Sequence, residues 1–202
     1  MIRTFLGITL ADSVRVELER QIGVLRSLVA GARWVEPSRY HLTLAFLGDV
    51  AETDLDGLIA AVGEAVRTPL PFALELKGLG AFPNPRRARV LWAGLSGAAL
   101  PRLLALRDDV AAACARVGYR ADEAFHPHVT LARLRPGRSV DLTVVVDKYR
   151  DWSGGAVEVG EVVVFASELK ASGPVYQRLG TWRLGSESGG WFQPEEGSDR
   201  LP

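Results

Sequence analysis

Two pentapeptides 87 positions apart, His41-Leu-Thr-Leu-Ala45 and His128-Val-Thr-Leu-Ala132, nearly repeat each other in a chain that contains only three histidines. Each alternates polar and apolar side chains, the period-2 signature of a strand with one buried face. In such a strand, residues two apart lie about 6.6 Å from each other on the same side. His41, Thr43 and Ala45 are therefore expected to share one face, with Leu42, Leu44 and Phe46 on the other, where a core needs them. The second copy sets His128, Thr130 and Ala132 against Val129 and Leu131. A repeat of this kind points to two related lobes, each supplying one imidazole beside one hydroxyl.

The other periodicities fill in the frame. Residues 2–10 are β-branched and aromatic enough for a strand, and Asp12 or Ser13 is placed to cap a helix with the apolar stripe Leu18, Ile22, Leu25 and Val29. After Thr53, the spacing of Leu55, Leu58, Ile59, Val62 and Val66 predicts a second helix. A third starts near Ser96, carries Pro101 in its first turn, runs through Leu103, Leu106, Val110, Cys114 and Val117, and stops at Gly118. Strand-like segments cover 39–47, 72–80, 88–95, 127–134, 157–167 and 175–184, with Pro83-Asn-Pro-Arg-Arg87 as a hairpin turn between two of them. Irregular alternation with short connections predicts an α+β fold with antiparallel sheets, not a doubly wound parallel one. Residues 1–185 read as one bilobal domain, and 186–202, rich in Gly, Ser, Glu and Pro, as a flexible tail.

Composition narrows the function classes. With 24 basic and 24 acidic side chains the net charge is zero, which leaves no broad electrostatic footprint for long nucleic acid; any RNA is gripped locally. Cys114 is the only cysteine, so an internal disulfide and a multi-cysteine zinc site are excluded. No apolar stretch approaches the ~18 to 20 residues of a membrane span, and the N-terminus lacks a signal-peptide core. A cytoplasmic protein without membrane contact is expected.

The histidine units suit one kind of chemistry. Cleaving a phosphodiester takes a base to activate the nucleophile, an acid to protonate the leaving alkoxide, and donors for the phosphoryl oxygens. Two imidazoles with ordinary pKa values of about 6.5 can fill the first two roles near neutrality, one neutral and one charged. Thr43 and Thr130 can donate to nonbridging oxygens. A leaving hydroxyl already tethered in a five-membered cyclic phosphate eases the reaction, and neither metal nor cofactor is needed. Arg133 has the fork geometry of a phosphate clamp, although strict alternation sets it opposite His128, so a twist or bulge must turn it into the cleft. His126-Pro-His128 with Asp122 and Glu123 offers a rival reading as a metal cluster, which Pro127 disfavours. Tyr40 and Phe125 are candidates for stacking a terminal base; Trp34 also flanks the motifs, and Phe46 falls to the core by parity. Arg86, Arg87 and Arg89 read as a solvated hairpin tip.

These residues resemble the 2H phosphoesterase superfamily, and within it the RNA 2′,3′-cyclic phosphodiesterase branch, also called the 2′-5′ RNA ligase family. The similarity spans most of residues 2–184: Arg33-Trp-Val-Glu-Pro37 leading into His41-Leu-Thr-Leu-Ala-Phe-Leu-Gly48, then Phe82-Pro-Asn-Pro, Arg89-Val-Leu-Trp92, Pro127-His-Val-Thr-Leu-Ala-Arg133 and Gly173-Pro-Val-Tyr176. The resemblance implies two antiparallel sheets flanking a central cleft, helices outside, and hydrolysis of RNA 2′,3′-cyclic phosphate ends to 2′-phosphates without metal or nucleotide cofactor. Reverse 2′-5′ joining is the implied side reaction. His41, His128, Thr43 and Thr130 carry over directly, and Arg133 matches the pattern. His128 is assigned as base and His41 as acid, in a chain expected to act as a monomer on an RNA 3′ end. The rival readings are a relative acting on 2′-5′ oligonucleotides or small cyclic nucleotide phosphates, a noncatalytic RNA-end-binding module, and a metallohydrolase.

Overall fold

The computed structural model describes residues 1–121, 124–134, 140–170 and 173–186. Its elements, in chain order, are β1 (Ile2–Thr9), α1 (Asp12–Leu28), β2 (Ala32–Trp34), β3 (His41–Val50), α2 (Leu55–Ala65), β4 (Phe72–Phe82), β5 (Val90–Ser96), α3 (Leu100–Arg116), β6 (His128–Leu134), α4 (Thr143–Lys148), β7 (Ser153–Val159), β8 (Glu161–Lys170) and β9 (Gly173–Arg183). The strands run in the order β7-β4-β5-β6-β3-β1-β8-β9, with β2 added to β6, and every pairing is antiparallel. Two arms result. The first is β9-β8-β1-β3, the second β7-β4-β5-β6, and one residue pair, Leu42 with Val129, joins them where the two histidine strands meet.

The helices cover the outer face, and the expected stripes are what they bury: Leu18, Ile22 and Leu25 on α1, Leu58, Ile59 and Val62 on α2, Leu103, Leu106, Val110 and Cys114 on α3. Behind the seam, Leu42 and Val129 have no exposed surface. Burying a side chain of this size contributes about 1.5–3 kcal/mol, so the apolar face of each histidine strand anchors it to the core. Burial also pushes the Cys114 thiol up to about 11, consistent with packing and not reactivity. Among the described residues no helix is long and apolar enough to cross a membrane.

Several boundaries differ from the sequence reading, each for a local reason. Neither Asp12 nor Ser13 caps α1; the helix begins at Asp12, whose carboxylate pairs with Arg15 instead. The third helix begins at Leu100, and Ser96 closes β5. The segment expected as one strand over 157–167 is divided at Gly160: β7 pairs with β4 in the second arm, β8 with β1 in the first. The apolar run Val162 to Phe165 hides this crossing because β8 is covered on both faces, by the main core and by a small cluster of Phe5, Val163 and Phe165. Two short elements gave no periodic signal: β2, and α4, whose Val144, Val145 and Val146 have strand propensity. The expected tail lies, past residue 186, outside the described residues.

Candidate active site

The two histidine strands carry the same irregularity at the same place. Against β1, Ala45 pairs with Leu6 and Thr43 with Gly7, so Leu44 is an extra residue; against β5, Ala132 pairs with Leu91 and Thr130 with Trp92, so Leu131 is extra. A bulge sets two successive side chains on one side. Leu44 and Ala45 both point into the core, as do Leu131 and Ala132, and the small alanine is what fits second. The expectation that Ala45 and Ala132 lie beside the histidines is therefore wrong, as is the placing of Phe46 on the face of Leu42 and Leu44, although it does pack against a buried apolar cluster. Past each bulge the parity is reversed: Phe46 joins the cluster of Phe5 and Phe165 on the histidine side, and Arg133 emerges exposed between buried Ala132 and Leu134. The obstacle to Arg133 reaching the cleft is thus removed by the bulge at Leu131.

The seam arranges the two motifs symmetrically. Antiparallel neighbours are related by a local two-fold axis, here through Leu42 and Val129. Continued one residue each way, that register sets His41 toward Thr130 and Thr43 toward His128. All four sequence candidates fall on one face, each histidine about one strand spacing of 4.8 Å from the other motif's threonine.

Each imidazole is held in the same way. His41 Nδ1 donates to the carbonyl of Arg39 at 2.8 Å, and His128 Nδ1 to that of His126 at 2.6 Å. A carbonyl can only accept, so the neutral rings carry their proton on Nδ1 and leave Nε2 as the nitrogen free to take or give one. Aromatic rings fix the planes: Phe5 at 4.9 Å and Tyr176 at 5.3 Å around His41, Phe82 at 4.9 Å and Trp92 at 6.0 Å around His128. Gly7 leaves room for this packing, since a Cβ there would lie 2.8 Å from the Leu42 carbonyl and 3.6 Å from the His41 ring.

Burial controls the charge state. It drives His41 from its ordinary 6.5 down to about 4, against the Arg39 carbonyl bond and with help from the charges of His128 and Arg133. His128 is lowered too, first by burial, then by His126 and Arg133. Burial raises the Tyr176 hydroxyl, and the charges of Arg133 and Arg39 oppose that rise.

The remaining candidates separate. Tyr40 is almost fully buried, with its hydroxyl 3.5 Å from Glu19, and Phe125 packs against the core under Arg107; neither offers a stacking face. Trp34 packs partly against the core beside Arg26. Arg86, Arg87 and Arg89 are exposed at the hairpin tip. Among the described residues no three His, Cys, Asp or Glu side chains gather to hold a metal; Asp122 and Glu123 lie outside them. His126 is exposed, with its ring against Trp92 and its carbonyl on His128. Sequence reasoning missed Gly7 and gave Trp92 no role, because both act through cross-strand register.

The comparisons agree with this geometry. The family described as LigT-like phosphoesterase matches residues 8–92 and 94–176. The chain is 32% identical over 185 residues to an RNA 2′,3′-cyclic phosphodiesterase of Methanothermobacter thermautotrophicus, covering 91% of this chain and 99% of the relative. It is 34% identical over 187 residues to one of Aquifex aeolicus, covering 92% and 98%. Among solved structures, a Thermus thermophilus protein superposes with a TM-score of 0.74 at 30% identity, over 93% of this chain and 100% of that one. Escherichia coli LigT in complex with 3′-AMP gives a TM-score of 0.71 at 26% identity, over 92% and 99%. On the match to residues 8–92 and 94–176, which include both histidine strands, the chain belongs to the LigT-like phosphoesterases of the 2H superfamily.

Proposed function

We propose that this chain, acting as a monomer in the cytoplasm, hydrolyses the 2′,3′-cyclic phosphate at an RNA 3′ end to a 2′-phosphate without metal or cofactor. The observation that carries the reading is the matched anchoring of the two imidazoles, each with Nδ1 on the carbonyl two residues upstream and Nε2 free. His128 Nε2 takes a proton from water as the water oxygen bonds to phosphorus. His41 Nε2 gives a proton to O3′ as the P–O3′ bond breaks, leaving the monoester on O2′. The Thr43 and Thr130 hydroxyls and the Arg133 guanidinium donate to the nonbridging oxygens. With a 5′-hydroxyl in place of water as the nucleophile, the same steps join two ends through a 2′-5′ linkage: His128 takes the hydroxyl proton as O5′ bonds to phosphorus, and O3′ leaves with a proton from His41.

The directions of the shifts set which form of the pair reacts. Because the proton affinity of His41 falls furthest, a single proton rests mainly on His128; the assigned roles use the less populated form, with the proton on His41 as the stronger acid and His128 neutral as the stronger base. Each ring's Nδ1 bond goes to the main chain, not to a carboxylate, so the anionic phosphate itself stabilises the imidazolium.

Incubation with an RNA ending in a 2′,3′-cyclic phosphate, in excess EDTA, tests the proposal. A 2′-monoester should form at the rate seen without chelator. A 3′-monoester, or a reaction that EDTA stops, removes it; cleavage of 2′-5′ oligonucleotides alone transfers the site to another substrate.

The pH dependence follows from the same shifts. The productive enzyme holds one proton across the pair, so its population is greatest between about 4, where His41 takes up a second, and the lowered value of His128, below 6.5. The expected kcat/KM profile is a bell centred on the acid side of 6.5, falling about tenfold per pH unit above it. A maximum above pH 7.5 would contradict both shifts.

A further inference from the structure

Around a nearly symmetric centre the surroundings are not symmetric. Gly7 stands beside Thr43 in the β1–β3 pairing, and Trp92 stands in the equivalent place beside Thr130 in the β5–β6 pairing. The indole lies on a glycine floor. A Cβ on Gly80, its partner on β4, would come within 2.1 to 2.6 Å of three atoms of the six-membered ring, and one on Gly94 within 3.4 Å of Cζ3. Only paired glycines, one across the ladder and one two residues along, let the ring lie flat on the backbone.

Among the described residues, no parallel neighbour closes the ring's other side. Phe82 meets it at 5.3 Å and 39°, His126 at 4.8 Å and 61°, so both form a rim and not a lid. Trp92 is only partly buried and His126 is exposed, whereas in the first arm Phe5 and Phe165 are buried and stack on each other at 4.9 Å. The first arm's rings are thus spent on one another and on His41. The second arm's shelf remains partly open. Among the described residues Trp92 Nε1 has no acceptor, and it is shut off from solvent, so no hydrogen bond between them explains the residue's position. What the position offers is a π-face one strand away from the threonine that would hold the phosphate.

We propose that Trp92, floored by Gly80 and Gly94 and rimmed by Phe82 and His126, is the platform on which the base of the cyclic-phosphate nucleotide stacks. The inference rests on the function proposed above and adds where the nucleoside lies: over the second arm, not the first. Every base has a π-face, so a platform without edge-reading donors accepts all four. It therefore supplies affinity without sequence preference.

The test compares a nucleoside 2′,3′-cyclic phosphate with the cyclic phosphate of 1-O-methylribose, which has no base. The wild type should favour the nucleoside by roughly 5- to 150-fold in kcat/KM, the range for one stacked base. Trp92→Leu, which keeps apolar bulk but has no π-face, should lose that preference through KM, the ratio of kcat/KM for the two substrates falling toward one whatever the variant loses on the baseless substrate through the neighbouring His128 ring. Trp92→Phe should keep most of it. Equal losses on both substrates, or a Leu variant that still prefers the nucleoside, overturn the platform. Calorimetric binding of a nucleoside 2′-monophosphate and of inorganic phosphate separates the two proposals. If the wild type cleaves neither substrate yet binds the nucleotide more tightly than phosphate in a Trp92-dependent way, the platform stands and the catalytic reading falls. Nucleotide binding that ignores Trp92 removes the platform whatever is cleaved.

Discussion

Replacing His41 or His128 with alanine is expected to lower turnover of the cyclic phosphodiester by about 10² to 10⁴, the usual worth of one proton-transfer group. Binding should change far less, because Thr43, Thr130 and Arg133, the groups proposed to hold the phosphate, remain. The double substitution should cost little more than either single one, since acid and base act in one step and their effects do not add. Alanine at 41 also empties space between Phe5 and Tyr176, which confuses chemistry with packing. His41→Asn separates them: its amide can donate to the Arg39 carbonyl as Nδ1 does, yet it has no titrating nitrogen. Single-turnover rates and phosphate binding are the measurements. A variant at either position that turns over near the wild-type rate takes that histidine out of the mechanism.

The second large effect is expected from a single methyl group. Gly7→Ala puts a Cβ 2.8 Å from the Leu42 carbonyl, a backbone atom that cannot swing aside. β1 and β3 must then shift where Thr43 pairs with Gly7 and His41 with Thr9, and the His41 ring, 3.6 Å from the new carbon, shifts with them. Overpacking of this kind costs about 1–3 kcal/mol of stability. A displacement near 1 Å at a reacting group can cost about 10² in kcat. Val62→Ala, a buried change on α2 away from the histidine strands, supplies the comparison: it should lose similar stability and keep kcat. Both are read from urea unfolding and saturation kinetics. If the two variants lose activity in parallel, Gly7 is a packing residue and nothing more.

The sequence carried the placing of the two His-x-Thr pairs more completely than the path of the strands that hold them. His41, Thr43, His128 and Thr130 were legible because each pair lies two residues apart in a strand, where spacing alone decides the face. Arg133 and Phe46 were not, because alternation presumes an unbroken pleat and each motif ends in a bulge that nothing local announces. Tyr40 shows the converse. Two positions before Leu42, it shares that residue's inward face, and its burial follows from the same alternation that placed the histidines. Trp92 was out of reach for another reason: its floor comes from Gly80, twelve positions away, and only the hairpin register brings them together. The break at Gly160 stayed hidden because β8 is apolar on both sides.

The thinness of the junction between the arms has a consequence for what sets the gap between the imidazoles. One backbone pair cannot fix that gap, so the task passes to helices laced across the join. α1 leaves the first arm and packs behind β7 of the second, where Trp152 Nε1 donates to Gln21; α3 leaves the second arm and packs behind β3 of the first. Just past α3, the Tyr119 hydroxyl donates to Asp54 at 2.6 Å and accepts from the Ala51 amide at 3.1 Å, buckling the end of that strap to the segment after β3. Interior residues far from any phosphate thus act as the set-screws of the catalytic spacing, and trimming them should detune turnover before it unfolds the chain.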